Sequence, residues 1–348
     1  MKIVRHFTHL PAELRGAVIA LGNFDGVHRG HQAVIARAAA LADELSSPLA
    51  VAAFEPHPRE LFDPGGPSFR LTSFHSKARL IERLGVDIFY VLPFDQAMAG
   101  RSAPDFVLGV LVRGLGVRHL VVGYDFAFGR GRSGNTAVLN WMGLMESFGV
   151  TTVEPVVRPG DAGAHGEVFS STRIREHLRA GAPRQAADLL GHWWSIEGHV
   201  LKGDQRGRTI GFPTLNVDMG SYLEPRHGVY AVWVEVQEPS ASGDQGPPPV
   251  TVYSGVANVG RRPTFAREGV VLEAHMFDYS GNLYGRQVRV SFVEFLREER
   301  KFDGIEALKD QISRDSLKAR EILAVPAAQL DVFATGLDAI AGAALKTP

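Results

Sequence analysis

The first half of the chain alternates short apolar runs with segments of helical periodicity. The apolar runs span 17–23, 48–56, 86–94, 117–126 and 150–157. Between them, apolar residues recur at helical spacing over about 31–45, 73–85, 103–116 and 135–149. Continuous apolar strands need cover on both faces, so this alternation predicts a parallel sheet with right-handed crossover helices. The predicted fold of this half is α/β, with a doubly wound parallel sheet.

The pattern changes near residue 190. Residues 171–191 predict two short helices, broken at Gly181–Pro183. Short β-rich runs separated by Gly and Pro then predict a small antiparallel β-barrel, interrupted by a hairpin insertion at 238–249. Helical patterns return at 303–323 and after Pro326. We therefore predict two domains, 1–187 and 188–348.

Composition narrows the class of protein. The 348 residues carry a net charge of −1, and neither a basic patch nor a helix-turn-helix pattern is evident, so we expect no nucleic-acid partner. No apolar run approaches the roughly 20 residues that span a bilayer, and the start of the chain lacks a signal-peptide core, so we expect no membrane partner. The sequence contains no cysteine, which excludes disulfides and thiol chemistry. A cytoplasmic location fits this composition best.

Candidate chemistry begins in the stretch GNFDGVHRGHQ, residues 22–32, which we call the histidine turn. It follows an apolar strand and opens a helix, so His28 and His31 lie at a helix entry. Three interpretations compete: zinc ligands, ordinary surface histidines, or phosphate contacts. The zinc pattern lacks its usual spacing and partners. Gly26 and Gly30 allow close backbone approach, and a helix N-terminus attracts anions, which favours phosphate.

A second candidate segment, FSSTRIR, spans 169–175. Ser171 and Thr172 offer hydroxyl and backbone donors, and Arg175 offers a planar fork for phosphate. An ordinary helix cap followed by a basic helix explains this segment alone about equally well.

Together these segments carry a family resemblance. HRGH resembles the HxGH element of nucleotidyltransferases, and FSSTRIR resembles their ISSTxIR element, with Phe169 in place of Ile. With FEPHP and VVGYDFAFGRGRSGN, they resemble the FAD synthetase module of bacterial bifunctional riboflavin kinase/FAD synthetases. The resemblance implies a Rossmann-like nucleotidyltransferase fold. It also implies that His28 and His31 contact the phosphates of ATP.

The same resemblance implies further site residues. Asn23 and Asp25 would shape the loop, and Asp125 and Phe128, within Gly123–Gly129, would lie by the nucleotide and the flavin. Other positions stay open between a role at the ligand and an ordinary structural one. These are Phe54, His57, Pro58, Arg130 and Arg132.

The second half carries its own resemblance. GDQRGRTIGFPTLNV, residues 203–217, resembles the riboflavin kinase signature. The resemblance implies that Gly207, Arg208, Gly211 and Pro213 border ATP. Thr214 and Asn216 alternate with Leu215, so on an extended segment they face one side and offer oxygen ligands suited to Mg²⁺.

The family pattern also implies that Glu273 is the base, or the orienting group, for the 5′-hydroxyl of riboflavin. Arg297 and Phe302 fall in the segment expected near the isoalloxazine, although a charged helix entry explains them as well.

The resemblance implies two ATP-dependent reactions. The C-terminal module would phosphorylate riboflavin to FMN, and the N-terminal module would adenylylate FMN to FAD, releasing pyrophosphate. The implied partners are riboflavin, FMN, ATP and Mg²⁺, with a weak homo-oligomer. Two alternatives remain: an adenylyltransferase for another substrate, and a flavin-binding regulator that has lost catalysis.

Overall fold

The computed structural model describes residues 1–157, 167–202, 211–237, 249–264 and 267–324. Within them the chain divides into two compact units. Unit 1 comprises Met1–Pro67 and Phe74–Ser170, and unit 2 comprises Ser68–Ser73 and the chain from Ser171 onward. Among the helices described, we find none with the length and apolar character needed to cross a membrane.

Unit 1 is built on a six-stranded sheet. Its strands are β1 (Lys2–Val4), β2 (Val18–Leu21), β3 (Leu49–Glu55), β4 (Ile88–Pro93), β5 (His119–Gly123) and β6 (Gly149–Val153). Its helices are α1 (Arg29–Glu44), α2 (Pro58–Phe62), α3 (Phe74–Glu82), α4 (Gln96–Ala99), α5 (Ala103–Phe106), a π-helix (Val107–Leu115) and α6 (Thr136–Glu146). Short 3₁₀ turns lie at Ala12–Leu14 and Arg130–Arg132.

All neighbouring strands of this sheet are parallel, in the order β1-β4-β3-β2-β5-β6. Alternate strand residues pack on opposite faces. Ile19 and Leu21 join one buried cluster with the π-helix and α6, whereas Val18 and Ala20 join another with α1 and α3. The doubly wound parallel sheet predicted from the sequence is confirmed.

Two local features differ from the sequence prediction. Strand β1 was not predicted, because three residues at the sheet edge, paired only with β4, give too short a pattern. The helix predicted over 103–116 begins as α5 but continues as the π-helix, which ends at Gly116 in the left-handed conformation. Within it Gly114 is required, since a Cβ there would lie 2.6 Å from the carbonyl oxygen of Phe7.

Unit 2 begins with α7 (Ser171–Arg179) and α8 (Pro183–Leu190), separated at the predicted break. Six strands follow: β7 (Ser195–Leu201), β8 (Leu215–Asp218), β9 (Gly228–Gln237), β10 (Val250–Thr264), β11 (Arg267–Met276) and β12 (Gln287–Arg297). They close into an antiparallel barrel in the order β10-β11-β8-β7-β12-β9, as predicted. Helix α9 (Ile305–Ile322) ends the described chain.

Helix α9 packs against the outside of the barrel. Ala319 of the helix lies in a buried cluster with Val256, Phe277 and Val293. Arg297, at the end of β12, forms hydrogen bonds of 2.9 and 2.8 Å to the nearly buried carboxylate of Asp315 on the helix. The insertion predicted at 238–249 lies almost wholly outside the described residues, as does the helical pattern predicted after Pro326.

Candidate active sites

The histidine turn lies where the strand order of the unit 1 sheet reverses. From β2 the chain builds outward through β3 and β4 on one side, while β5 and β6 lie on the other. The carboxyl ends of β2 and β5, at Leu21 and Gly123, are therefore neighbours. In open parallel sheets such a switch point opens the crevice in which ligands bind. The fold thus brings residues 22–32 beside the segment that follows Gly123.

His28 is fixed as the cap of helix α1. Its Nδ1 atom accepts a hydrogen bond from the backbone N–H of His31 at 3.3 Å, and its side chain is buried. The His28 and His31 rings stack with centroids 3.6 Å apart, and Phe24 lies 5.1 Å from the His31 ring. Because Nδ1 of His28 is an acceptor, the neutral ring carries its proton on Nε2. The cap thereby fixes Nε2 as the donor atom of the neutral ring.

The backbone of the turn explains its glycines. Gly26 has a φ of +87°, and the nearby Phe24 and Val27 have φ values of +50° and +43°. The backbone of the turn therefore enters the left-handed region, which favours glycine. At position 30, glycine is needed for a different reason, which is steric. A Cβ there would lie 3.0 Å from the carbonyl oxygen of Phe169 and 3.1 Å from the His28 ring. The pattern HRGH therefore includes glycine because a side chain would displace the histidine.

The polar residues predicted around this crevice differ in exposure. Asp25 is only 3% exposed, whereas Asn23 and Asp125 are exposed. Phe128 is buried, and its backbone exchanges two hydrogen bonds with Gly134, at 3.0 and 2.9 Å. Gly134 leaves space for the Phe128 ring, since a Cβ there would lie 2.6 Å from it.

A chain of phenylalanine rings runs along the same edge of the sheet. Successive centroids lie between 5.2 and 6.0 Å apart, and the rings come from the end of β3, from the segments after β4 and β5, and from α2 and α5. In order they are Phe62, Phe94, Phe54, Phe106, Phe128 and Phe126. Sequence reasoning named only Phe54 and Phe128. An aromatic residue at the end of an apolar run was the available signal for Phe94 and Phe126.

The remaining positions left open in unit 1 lie at the start of α2 and on a 3₁₀ turn. The Nδ1 atom of His57 accepts from the N–H of Arg59 at 3.1 Å and caps α2, and Pro58 begins that helix. Arg130 and Arg132 are exposed on the 3₁₀ turn.

Ser171, Thr172 and Arg175 lie on α7 and are described with unit 2. Ser171 begins the helix and Thr172 is exposed. The Nε atom of Arg175 donates to the carbonyl oxygen of Phe69 at 2.9 Å, and the guanidinium lies 5.6 Å from the Phe69 ring. This bond fixes the arginine by one of its donors. Phe169, the departure from the family pattern, is buried in unit 1.

In the barrel, strand register gathers a row of polar residues that we call the barrel row. Glu273 on β11 lies opposite Asn216 on β8 and opposite Asn258 on β10. Directly paired residues share a face, and the neighbouring Leu272 and Ala274 are fully buried inside the barrel. The row is therefore on the outer face. The Nδ2 atom of Asn258 donates to Glu299 at 2.8 Å.

His275 connects this row to the signature segment. It lies two residues after Glu273, hence on the same face, and its Nδ1 atom is 2.8 Å from the carbonyl oxygen of Pro213. Its ring meets Phe212 edge-on at 5.5 Å. Sequence reasoning missed His275 and Asn258. Alternation from Glu273 could have found His275, but only the register shows Asn258.

A cavity of about 340 Å³ adjoins the signature segment. Its lining includes Pro213, Thr214, Met276, Tyr279, Asn282 and Tyr284. Gly211, with a φ of +90°, precedes it along the chain, whereas Gly207 and Arg208 lie outside the described residues. Beside the cavity, a hydrogen bond from Arg320 holds the pKa of Asp278 below its ordinary value.

Two further predictions concern Arg297 and the metal. Arg297 is engaged with Asp315, and its guanidinium lies 5.6 Å from the Phe302 ring. In the part of the chain that the structure describes, no group of three or more His, Cys, Asp or Glu side chains forms a metal site. Thr214 and Asn216 offer oxygen ligands of another kind, a hydroxyl and an amide carbonyl.

Comparison with known proteins gives consistent results. A family model for FAD synthetase matches residues 10–173, and one for riboflavin kinase matches residues 190–323. The bifunctional riboflavin kinase/FMN adenylyltransferase of Escherichia coli K12 is 38% identical over 92% of this chain and 97% of its own length. That of Pseudomonas fluorescens is 41% identical over 94% of this chain and 99% of its own length.

A solved structure matches over the same range. It is titled a macrolide-efflux protein from Streptococcus pneumoniae, with a TM-score of 0.77 and 29% identity over 92% of this chain and 99% of its own. Both family models and both relatives agree with the two resemblances noted in the sequence. The chain therefore belongs to the family of bifunctional riboflavin kinase/FMN adenylyltransferases, with an FAD synthetase module followed by a riboflavin kinase module.

Proposed function

We propose that the histidine turn binds the phosphates of ATP during adenylylation of FMN, and that the barrel row serves phosphorylation of riboflavin. The chain is a riboflavin kinase and an FMN adenylyltransferase, so it uses ATP in two reactions and forms FMN and then FAD. The observation that carries the first assignment is the capped, stacked pair of His28 and His31 at the switch point of the sheet.

The cap makes His28 a fixed donor. With Nδ1 bound to the His31 N–H, the Nε2–H of the neutral ring is the group that can bind a phosphate oxygen. The N-terminus of α1 adds free N–H groups and the positive end of the helix dipole. Negative charge grows on the leaving pyrophosphate as adenylyl is transferred. Donors already fixed in place stabilise that charge with little reorganisation.

Other residues complete the adenylyl-transfer assignment. Asn23, Asp25 and Gly26 shape the turn, while Asp125 and the Phe128 end of the phenylalanine chain border the nucleotide and the flavin. Flat apolar rings suit the flat isoalloxazine. Ser171, Thr172 and Arg175 contact phosphate, for which the planar guanidinium of Arg175 is suited.

For riboflavin phosphorylation we assign Thr214 and Asn216 to Mg²⁺ and Glu273 to the riboflavin hydroxyl. The residues fit the metal, because Asn216 lies opposite Glu273 and a hydroxyl and an amide oxygen are ligands that Mg²⁺ accepts. Mg²⁺ supplies neutralisation of phosphate charge. Glu273 orients the 5′-hydroxyl and accepts its proton. Gly207, Arg208, Gly211 and Pro213 border the ATP.

Domain boundaries and partners are also proposals. We place the boundary between the two modules at 187/188, within the gap between the two family matches. In the structure, α7 and α8 already belong to unit 2, which takes up the chain again at Ser171. A cytoplasmic location, weak homo-oligomerisation and the lack of nucleic-acid or membrane partners stay predictions from the sequence.

Reciprocal substitutions test the assignment. His28→Asn retains a good helix cap but removes the Nε2 donor. We expect FAD formation from FMN to fall about 10²- to 10³-fold, with riboflavin phosphorylation unchanged. Glu273→Gln should lower phosphorylation about 10²- to 10⁴-fold and spare FAD formation from supplied FMN. Chromatography of the flavins measures both reactions. If either folded variant lost both activities equally, the assignment of residues to reactions would be wrong.

A further inference from the structure

Besides the cavity in unit 2, a cavity lies in unit 1, and its lining includes none of the site residues assigned above. It measures about 440 Å³ and lies between α4 and the π-helix. Its lining includes Gln96, Arg101, Asp105, Leu108, Gly109 and Arg113. We call it the arginine cavity. Its volume exceeds that of a single oxyanion and falls within the range of small-ligand pockets.

Both arginines of this cavity lack an acidic partner within the described residues. The Nε atom of Arg101 is shielded from solvent, and nothing in the described chain accepts a hydrogen bond from it. Asp105 is the one acidic residue of the lining, and its carboxylate accepts the Ser102 hydroxyl at 2.5 Å. A buried donor without an acceptor is unfavourable, and a ligand that accepts the hydrogen bond would explain it.

The π-helix is shaped to admit the Arg101 side chain. A Cβ at Gly109 would lie 3.2 Å from Nη1 of Arg101, so glycine lets the guanidinium approach the helix backbone. On the other side, the guanidinium lies 5.7 Å from the Phe7 ring. A π-helix is rare, and such turns occur frequently at functional sites. The helix, the glycine and the arginine together form a prepared site.

We propose that the arginine cavity binds a small phosphate monoester that carries hydroxyl groups. Arg101 and Arg113 bind the phosphate, because guanidinium forks match phosphate oxygens. Asp105 and Gln96 accept hydrogen bonds from the hydroxyls of the ligand. The apolar part of the lining is small and contains no aromatic ring, which favours a polyol phosphate over a flavin.

The site adjoins a segment that the adenylyl-transfer assignment uses. The carbonyl oxygen of Arg101 accepts a hydrogen bond from the N–H of Arg130 at 2.7 Å. A Cβ at Gly129 would lie 2.8 Å from the backbone nitrogen of Ala103. The loop that carries Phe128 therefore rests on the segment that begins with Arg101, and a ligand in the cavity contacts the support of that loop.

Ligand-dependent thermal unfolding of the full chain tests the proposal, since a ligand that binds the native state raises Tm. The probe is glycerol 3-phosphate, compared with inorganic phosphate and with glycerol plus chloride at equal ionic strength. We expect glycerol 3-phosphate to raise Tm most. The increase should vanish in Arg101→Gln and in Gly109→Val, which fills the cavity without changing charge. A cooperative unfolding transition of each variant without ligand, at a Tm close to that of the wild type, shows that the chain is folded.

His28→Asn separates this site from the site proposed for ATP phosphates. If that variant keeps the increase in Tm, the ligand binds elsewhere than at the histidine turn, as proposed. If His28→Asn removes the increase and Arg101→Gln retains it, the arginine cavity is not the site. An equal increase from inorganic phosphate would overturn the assignment of hydroxyl contacts. If glycerol 3-phosphate does not raise Tm above the value in glycerol plus chloride, the proposal is wrong, whether or not the adenylyl-transfer assignment holds.

Discussion

The histidine turn and the barrel row assemble polar groups in contrasting ways. The turn holds His28 and His31 within eleven residues, where one loop and one helix start fix both rings. The barrel row takes Asn216, Glu273 and Asn258 from three strands, which meet only through antiparallel register. A site of the first kind depends on local backbone conformation. A site of the second kind depends on register, because a slip of one residue moves every side chain to the opposite face.

Each region also holds a histidine whose Nδ1 atom forms a hydrogen bond with the backbone. In one histidine this atom is the acceptor, and in the other it is the donor. Nδ1 of His28 accepts from the His31 N–H and therefore carries no proton. Nδ1 of His275 faces the Pro213 carbonyl oxygen, to which it must donate, and therefore carries one. In the proposed site, the first histidine donates from Nε2 to a phosphate oxygen. The second joins the strand of Glu273 to the segment that carries Thr214 and Asn216.

Apart from loss of a proposed catalytic group itself, the largest expected effect comes from altering the backbone of the turn. In Gly30→Val the new side chain meets the His28 ring and the Phe169 carbonyl oxygen, so the histidine must move. A displacement of about 1 Å costs roughly 10²-fold in rate, and we expect that loss in FAD formation from FMN. Gly65→Ala is the control, since nothing lies within 4 Å of its Cβ. Unchanged FAD formation in Gly30→Val would show that the turn tolerates movement of His28.

The same contrast explains what the sequence could predict. HRGH and the glycines around it are contiguous, so the turn was located from the residues alone, and the structure supplies the steric reason for Gly30. The parallel sheet followed from continuous apolar runs, and the barrel from short β-rich runs. Strand β1 was missed because three edge residues carry no periodic signal.

The barrel row was only partly predictable. Glu273 was selected through the family resemblance, while Asn258 depends on a register that no sequence pattern encodes. Arg297 was associated with the isoalloxazine, and the structure places it on Asp315, a partner supplied by a helix later in the chain. Contacts between segments far apart in sequence are fixed by packing, which the local pattern does not contain.

An intermediate effect is expected at His275, which we regard as a positioning residue. His275→Leu removes the donor to Pro213, and a hydrogen bond worth about 1 kcal/mol corresponds to several-fold in rate or affinity. We expect KM for MgATP in riboflavin phosphorylation to rise several-fold, with a smaller change in kcat. His275→Asn places an amide donor near the former Nδ1 and should restore most of the loss.

FAD formation from FMN in the same preparations is the internal control for His275 and should not change. A loss in His275→Leu that Asn fails to restore would mean that packing against Phe212, and not the hydrogen bond, is what the signature segment needs.

The smallest expected effect concerns stability, and it should appear in unit 1 alone. His119 on β5 bonds Thr151 through Nε2 at 2.8 Å, and Gly149 leaves space for its ring. Burial, with a smaller contribution from Arg37, lowers the pKa of His119 below its ordinary value of 6.5. As pH falls through 6.5 the unfolded chain takes up the proton first, so stability present above pH 6.5 is lost on acidification.

His119→Gln can keep a hydrogen bond to Thr151 but cannot titrate. Hydrogen exchange in urea at pH 8 and pH 5.5 can follow peptides of each unit, with wild type and variant compared at equal pH. We expect wild-type β5 and β6 to lose more protection on acidification than the variant, while barrel peptides respond alike in both. Equal losses in β5 and β6 would show that His119 does not set the acid sensitivity of the sheet.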